Sequence, residues 1–108
     1  LLHGDPHPRN MVIRDKRIEA VIDWGDITSG DPAGDLAAFW MLFEHNIESE
    51  TAIRKALDLY GADVSLIKRA KAWAVFYGLI LLHTGLHGHP VHAEIGRRCL
   101  KTLETTPI

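Results

Sequence analysis

A chain of 108 residues, 46% hydrophobic and 24% charged, has the make-up of one globular unit and is too apolar to stay disordered. A net charge of −2 supplies no electrostatic footprint for nucleic acid or an anionic membrane, and the longest apolar run, residues 72–82, is too short to span a bilayer. The single Cys99 excludes an internal disulfide, reads as a small buried residue, and makes the cytoplasm the expected compartment.

The chain starts Leu1-Leu2-His3, with neither an initiator methionine nor a basic leader before an apolar run. We expect no signal peptide, and we read the chain as a piece of a longer protein. Met11 to Ile13 and Ile18 to Ile22 predict two short strands around the polar turn Arg14-Asp15-Lys16-Arg17. Gly25, Ser29, Gly30 and Pro32 mark a loop, and Asp31-Pro32 is a helix-start signal, with Asp35 as a second candidate cap. Leu36 to Phe43 is apolar throughout, which predicts an enclosed helix. A second helix is expected from Ser49 to Tyr60, with Ile53, Ala56, Leu57 and Tyr60 on one face and Gly61 as its stop. A third begins near Asp63 or Ser65 and extends towards Leu86; Gly78 inside it marks close packing or an early end. A fourth spans Val91 to Leu103 after Pro90. The fold class is therefore α+β and mainly helical, with a short hairpin followed by about four helices. There is no internal repeat, low-complexity stretch or coiled-coil heptad.

The chemistry concentrates between His3 and Asp35. If the two strands pair, Asp5 and Asn10, before the first, meet Asp23, after the second, at one end of a ribbon. A carboxylate beside an acceptor hydroxyl can align it and take its proton, while an amide oxygen and a second carboxylate can hold hard Mg²⁺. That division of labour suits phosphoryl transfer. The same residue types also permit metal-assisted hydrolysis with His3, Asp5, His7 and Asp23 as ligands, and spacing alone does not choose between the two.

The order of residues does favour one. His3-Gly4-Asp5-Pro6-His7-Pro8-Arg9-Asn10, then Ile22-Asp23-Trp24-Gly25-Asp26, then Gly30-Asp31-Pro32-Ala33-Gly34-Asp35-Leu36-Ala37 resemble the aminoglycoside phosphotransferase family, small-molecule kinases with a protein-kinase-like fold. The resemblance implies that Asp5 is the catalytic aspartate, and that Asn10 and Asp23 hold Mg²⁺ and, through it, the phosphates of ATP or GTP. It implies supporting roles for His3 and His7 and structural ones for Asp31 and Asp35, while Asp26 reads as a supporting residue or as a plain loop hydrogen bond. The chain departs from the commonest family pattern at Pro6, where an apolar residue is usual, and at Arg9, where a small one is frequent; neither removes a proposed chemical group.

Within that resemblance, residues 1–108 correspond to a partial phosphotransferase domain, the larger C-terminal lobe. The upstream nucleotide-binding lobe would be missing, since neither Gly-x-Gly-x-x-Gly nor a P-loop occurs here. The expected partners are a nucleotide and a small hydroxyl-bearing substrate, with no nucleic acid and no membrane. Apolar surface left by the missing lobe would support a homodimer or aggregation. The isolated chain is expected to be inactive. A noncatalytic scaffold and a metal-dependent hydrolase stand as the other function classes.

Outside the cluster, Trp24 is expected to pack beneath the metal loop, and Phe39, Trp40, Phe43, Trp73 and Phe76 in helix cores. His83, His87, His89 and His92 read as loop and helix-end residues before they read as a zinc site, and His45 as a helix end. Glu44, Glu48, Glu50 and Asp58 read as solvated helix surface before they read as a receptor for a cationic substrate such as an aminoglycoside.

Overall fold

A computed structural model of the protein describes residues 1–43 and 48–106, so the readings of Glu44 and His45 lie outside the described residues. A 3-10 turn at Pro8–Asn10 leads into an antiparallel hairpin of β1 (Met11–Arg14) and β2 (Arg17–Val21). Met11 lies opposite Val21 and Val12 opposite Ala20; a bulge then sets Ile13 opposite Ile18. Asp15 and Lys16 reverse the chain with φ of 50° and 62°, the left-handed pair that a tight two-residue hairpin turn needs. Ile22 falls just outside the strand, yet its N–H still donates to the Asn10 carbonyl at 2.7 Å.

The apolar run after the loop does not form the single helix its composition predicts. It yields two short turns, α1 (Ala33–Leu36) and α2 (Phe39–Leu42), with Ala37 and Ala38 between them. The start moves forward because Asp31 Oδ1 accepts the Ala33 amide at 3.1 Å. The break arises because bonding tightens to three-residue spacing, from Ala38 to Asp35, Trp40 to Ala37 and Met41 to Ala38. Enclosure is as expected: Leu36, Ala37, Ala38, Trp40 and Met41 are buried.

Three longer helices complete the body: α3 (Ser49–Tyr60), α4 (Val64–Leu86) and α5 (Pro90–Thr105). In α3, Ile53 and Leu57 enter the core as the spacing predicts, and the chain stops at Gly61 with φ of 83°. Tyr60, expected on the same face, is instead 53% exposed at the last turn. Asp63 caps α4 by accepting the Leu66 amide at 2.8 Å. That helix runs through Gly78 without stopping, because the glycines let α5 approach closely. A Cβ at Gly85 would collide with the backbone of Ala93, and one at Gly96 would lie 2.5 Å from the Gly78 carbonyl oxygen.

The core joins α1 and α2 to Ile53 and Leu57 of α3, Ala70 and Ala74 of α4, and Cys99 of α5. Burial pushes the Cys99 thiol up to about 12, so it stays protonated and inert, and its Sγ lies 3.5 Å from the Ala74 carbonyl oxygen. Small residues occupy the buried side of α4, which forces its large ones outward. Trp73 and Phe76 are therefore exposed, contrary to the core placement their helical spacing suggests, and they form a ring cluster with Tyr77. Among the described residues no helix is long and apolar enough to cross a membrane.

Candidate active site

The segment from His3 to Asn10 is shaped by side chains that bond to its own backbone. His3 is buried; its Nδ1 accepts the Asp5 amide at 3.1 Å and its Nε2 lies 2.8 Å from the Ile22 carbonyl oxygen. These partners assign the proton to Nε2. One imidazole thus links the backbone of Asp5 to the residue immediately before Asp23. Trp24 packs on that ring, with centroids 4.5 Å apart, and donates its indole N–H to the Val21 carbonyl at 2.8 Å.

Asp35 holds the same turn from the other side. Its Oδ2 accepts the His3 amide at 2.6 Å and its Oδ1 the Gly4 amide at 3.0 Å, so it clamps the loop and caps no helix, contrary to the second-cap reading. Gly4 has φ of 93° and sits where a Cβ would collide with the Asp26 carbonyl oxygen. Asp26 meets the loop through its backbone; its carboxylate makes no hydrogen bond or ion pair among the described residues. Leu2 and Thr28 close the loop by exchanging backbone bonds of 2.6 and 3.1 Å.

Asp5 and Asn10 meet directly. The Asn10 amide nitrogen lies 2.7 Å from the Asp5 carbonyl oxygen and 3.3 Å from Asp5 Oδ2. His7 Nε2 stands 3.6 Å from the same Oδ2, an electrostatic contact too long for a hydrogen bond, while His7 Nδ1 accepts the Arg9 amide at 3.1 Å. Asp5 Oδ1 accepts no hydrogen bond among the described residues, and neither does Asn10 Oδ1. Asp23 carries an exposed carboxylate with no bonded partner among the described residues, and its backbone is left-handed, φ of 59°. Aspartate tolerates that region better than most residues, and such backbone outliers cluster at functional sites. The Asn10 amide oxygen and the Asp23 carboxylate are each of the ligand type that a hard divalent cation such as Mg²⁺ prefers.

Asp31 is tied to the helical body. Arg69 of α4 donates Nε to Asp31 Oδ2 at 2.8 Å, and a second guanidinium nitrogen lies 3.4 Å from Oδ1. That ion pair, aided by the Ala33 amide, holds the Asp31 carboxyl below its ordinary range; the same pair raises the Arg69 guanidinium. Sequence reasoning missed Arg69, since its partner lies 38 positions away and nothing local announces the pair.

It also missed the wall facing Asp5. A cavity of about 70 Å³ is bounded by the loop residues from Asp5 to His7 on one side, and by Met41 of α2 with Tyr77, Ile80 and Leu81 of α4 on the other. Tyr77 and Leu81 are one helical turn apart, a signal that the sequence does carry. Burial, followed by the charges of Asp35 and Asp5, raises the Tyr77 hydroxyl above its usual value.

The remaining histidines form pairs: His83 with His87, centroids 4.6 Å apart, and His89 with His92 at 5.4 Å. His92 also meets His7 edge-on at 5.8 Å; burial, then His7, Arg9 and His89, lower its basicity. No group of three or more His, Cys, Asp or Glu among the described residues is gathered to hold a metal ion.

In comparisons with known proteins, the model of the APH family, described as "Phosphotransferase enzyme family", matches residues 1–73. Neither the curated proteins nor the solved structures gave a match.

Proposed function

We propose a function from one premise: the chain belongs to the phosphotransferase enzyme family. The reading is that the protein carrying this chain moves the γ-phosphoryl group of ATP or GTP to a hydroxyl of a small molecule. The observation that carries it is the state of the Asp5 carboxylate. Its Oδ2 is steadied by Asn10 and faced by His7, while Oδ1 has no donor among the described residues, as an atom that must receive a substrate hydroxyl should.

Asp5 then orients the acceptor and takes its proton as the oxygen attacks the γ-phosphorus and the bond to the departing nucleoside diphosphate breaks. Asn10, held by its amide nitrogen on Asp5, and Asp23 are the residues that would hold Mg²⁺, one through its amide oxygen and the other through its carboxylate. When bound, Mg²⁺ neutralises charge on the transferring phosphate. His3 and Asp35 act on geometry alone, keeping Asp5 in register with the strand that ends before Asp23.

Metal-dependent hydrolysis through His3, Asp5, His7 and Asp23 is disfavoured by the same geometry. Both ring nitrogens of His3 have backbone partners, and His7 Nδ1 is engaged by Arg9. A scaffold role gives no reason for uncommitted oxygens on Asp5, Asn10 and Asp23.

The same reading makes residues 1–108 the larger lobe of a two-lobed enzyme. Val12, Ile13, Ile18 and Ile22 on and beside the hairpin are each more than two-fifths exposed, apolar surface that a nucleotide-binding lobe would cover. The decisive variant is Asp23→Ala in the full-length protein. Transfer should fall by at least about 100-fold, with weakened Mg²⁺-nucleotide binding by titration calorimetry. Unchanged transfer would reject the assignment.

A further inference from the structure

The cavity beside Asp5 bears on the acceptor's chemistry, and what is drawn from it rests on the phosphotransfer reading above. Its far wall is hydrocarbon: Met41, Ile80, Leu81 and the ring of Tyr77. Pro6, one of the two departures from the commonest family pattern, lies in the near wall and is itself buried. Among the described residues Asp5 is the only carboxylate in the lining. A molecule with several ammonium groups would meet one anion, already needed by the reacting hydroxyl, and would otherwise bury charge against hydrocarbon.

The surroundings point the same way. Beyond His7, the rings of His92 and His89 follow at 5.8 and 5.4 Å spacing, so imidazoles and not carboxylates build that flank among the described residues. Two of the acidic residues read as open to a cationic substrate, Glu50 and Asp58, are placed elsewhere. Glu50 is paired with Arg54 at 2.9 Å, and Asp58 lines a separate depression with Arg54, Leu57 and Ile67. The Tyr77 hydroxyl makes no hydrogen bond among the described residues, although the ring is partly buried and feels the charges of Asp5 and Asp35. It is the one neutral hydroxyl in the wall, able to donate to an acceptor oxygen.

We infer that the cavity between the Asp5-Pro6-His7 turn and Met41, Tyr77, Ile80 and Leu81 receives the uncharged hydrocarbon end of the acceptor, so the substrate is an alcohol with a small apolar group and not a polycationic sugar. An apolar cavity of roughly 150 Å³ takes benzene. About 70 Å³ is half of that, enough for a short branched alkyl group while the rest of the molecule stays outside. Such a site selects strongly, since each methylene in an apolar pocket changes specificity by about 10–200-fold.

The test is nucleotide-dependent transfer by the full-length protein to a panel of branched-alkyl and cycloalkyl alcohols, set against kanamycin. The alcohols should show kcat/KM at least about tenfold higher. Leu81→Ala should raise KM for the alcohols about tenfold, with kcat within about twofold, as loss of methylenes from a binding wall does. Ile80 is 44% exposed, so Ile80→Asp should leave the helical circular dichroism intact while narrowing or reversing the preference. Tyr77→Phe keeps the ring and should lower kcat/KM by about 5–10-fold, the size expected for one neutral hydrogen bond. Preference for kanamycin, no transfer to any alcohol, or indifference of the ratio to both wall variants would overturn the inference. Mg²⁺-nucleotide titration of the same samples separates the levels. Binding that Asp23→Ala abolishes, together with a kanamycin preference, sinks only the apolar-acceptor inference; no Mg²⁺-dependent nucleotide binding at all sinks the phosphotransfer reading as well.

Discussion

The loop segment that carries Asp5 and the α4/α5 pair that forms the body are held by opposite means. In the loop, a handful of polar side chains satisfy backbone amides: Asp35 on His3 and Gly4, His3 on Asp5, Asn10 on the Asp5 carbonyl. In the helix pair, glycines and alanines let two backbones approach until little space remains between Gly85 and Ala93 or between Gly96 and Gly78. The first is directional and local, so it can position atoms without contributing much to global stability. The second is non-directional and shared along the helices, so it supplies stability without setting any one atom's position.

The comparison can be broken most forcefully at Asp35. Asp35→Ala leaves the His3 and Gly4 amides without their charged acceptor, a loss met by local opening of that turn and not by the helices. Transfer should drop by at least about 100-fold, while far-UV circular dichroism still reports intact helices. Helix loss in step with activity would show that the two regions are not separable.

Gly96→Leu should do the reverse. Overpacking against Leu82 and the Gly78 carbonyl should cost about 1–3 kcal/mol and lower the midpoint of thermal unfolding by about 4–8 °C per kcal/mol. Transfer per folded molecule should stay near its original value, read from kcat against the folded fraction.

The smallest effect belongs to Arg69→Gln. The Asp31–Arg69 pair is exposed, so its loss should shift the unfolding midpoint only slightly and not at all in high salt. The Asp31 carboxyl titrates lower in the folded than in the unfolded state. Its contribution is therefore complete above the ordinary value of 3.8 and fades as pH falls through the lowered one. An unfolding series below that value should lose this component in the parent protein, and Arg69→Gln should keep only the smaller part that the Ala33 amide supplies.

The division also explains what the sequence made legible. Short polar residues among glycines and prolines announce a site because so few roles suit them, and the hairpin between Asn10 and Asp23 follows from two apolar runs and a polar turn. Their partners are not announced. That Asp35 would reach back to His3 and Gly4, or that Arg69 would meet Asp31, depends on how distant segments pack. The helical body was legible as four stretches, but two details escaped. An entirely apolar run carries no periodicity to place the break at Ala37 and Ala38, and α4 is apolar on so many sides that the spacing of Trp73 and Phe76 could not reveal which side meets α5. Tyr77, Ile80 and Leu81 were legible as helix residues, while the cavity they make with Asp5 was not.

The most direct measurement is the rate of phosphoryl transfer by Asp5→Asn in the full-length protein, with Mg²⁺-nucleotide affinity recorded on the same sample. The substitution preserves shape and removes the base, so the rate should fall by about 10²–10⁴-fold while the affinity stays within about threefold. Transfer that persists within about threefold of the parent would contradict the role of Asp5 and, with it, the chemistry assigned to this loop.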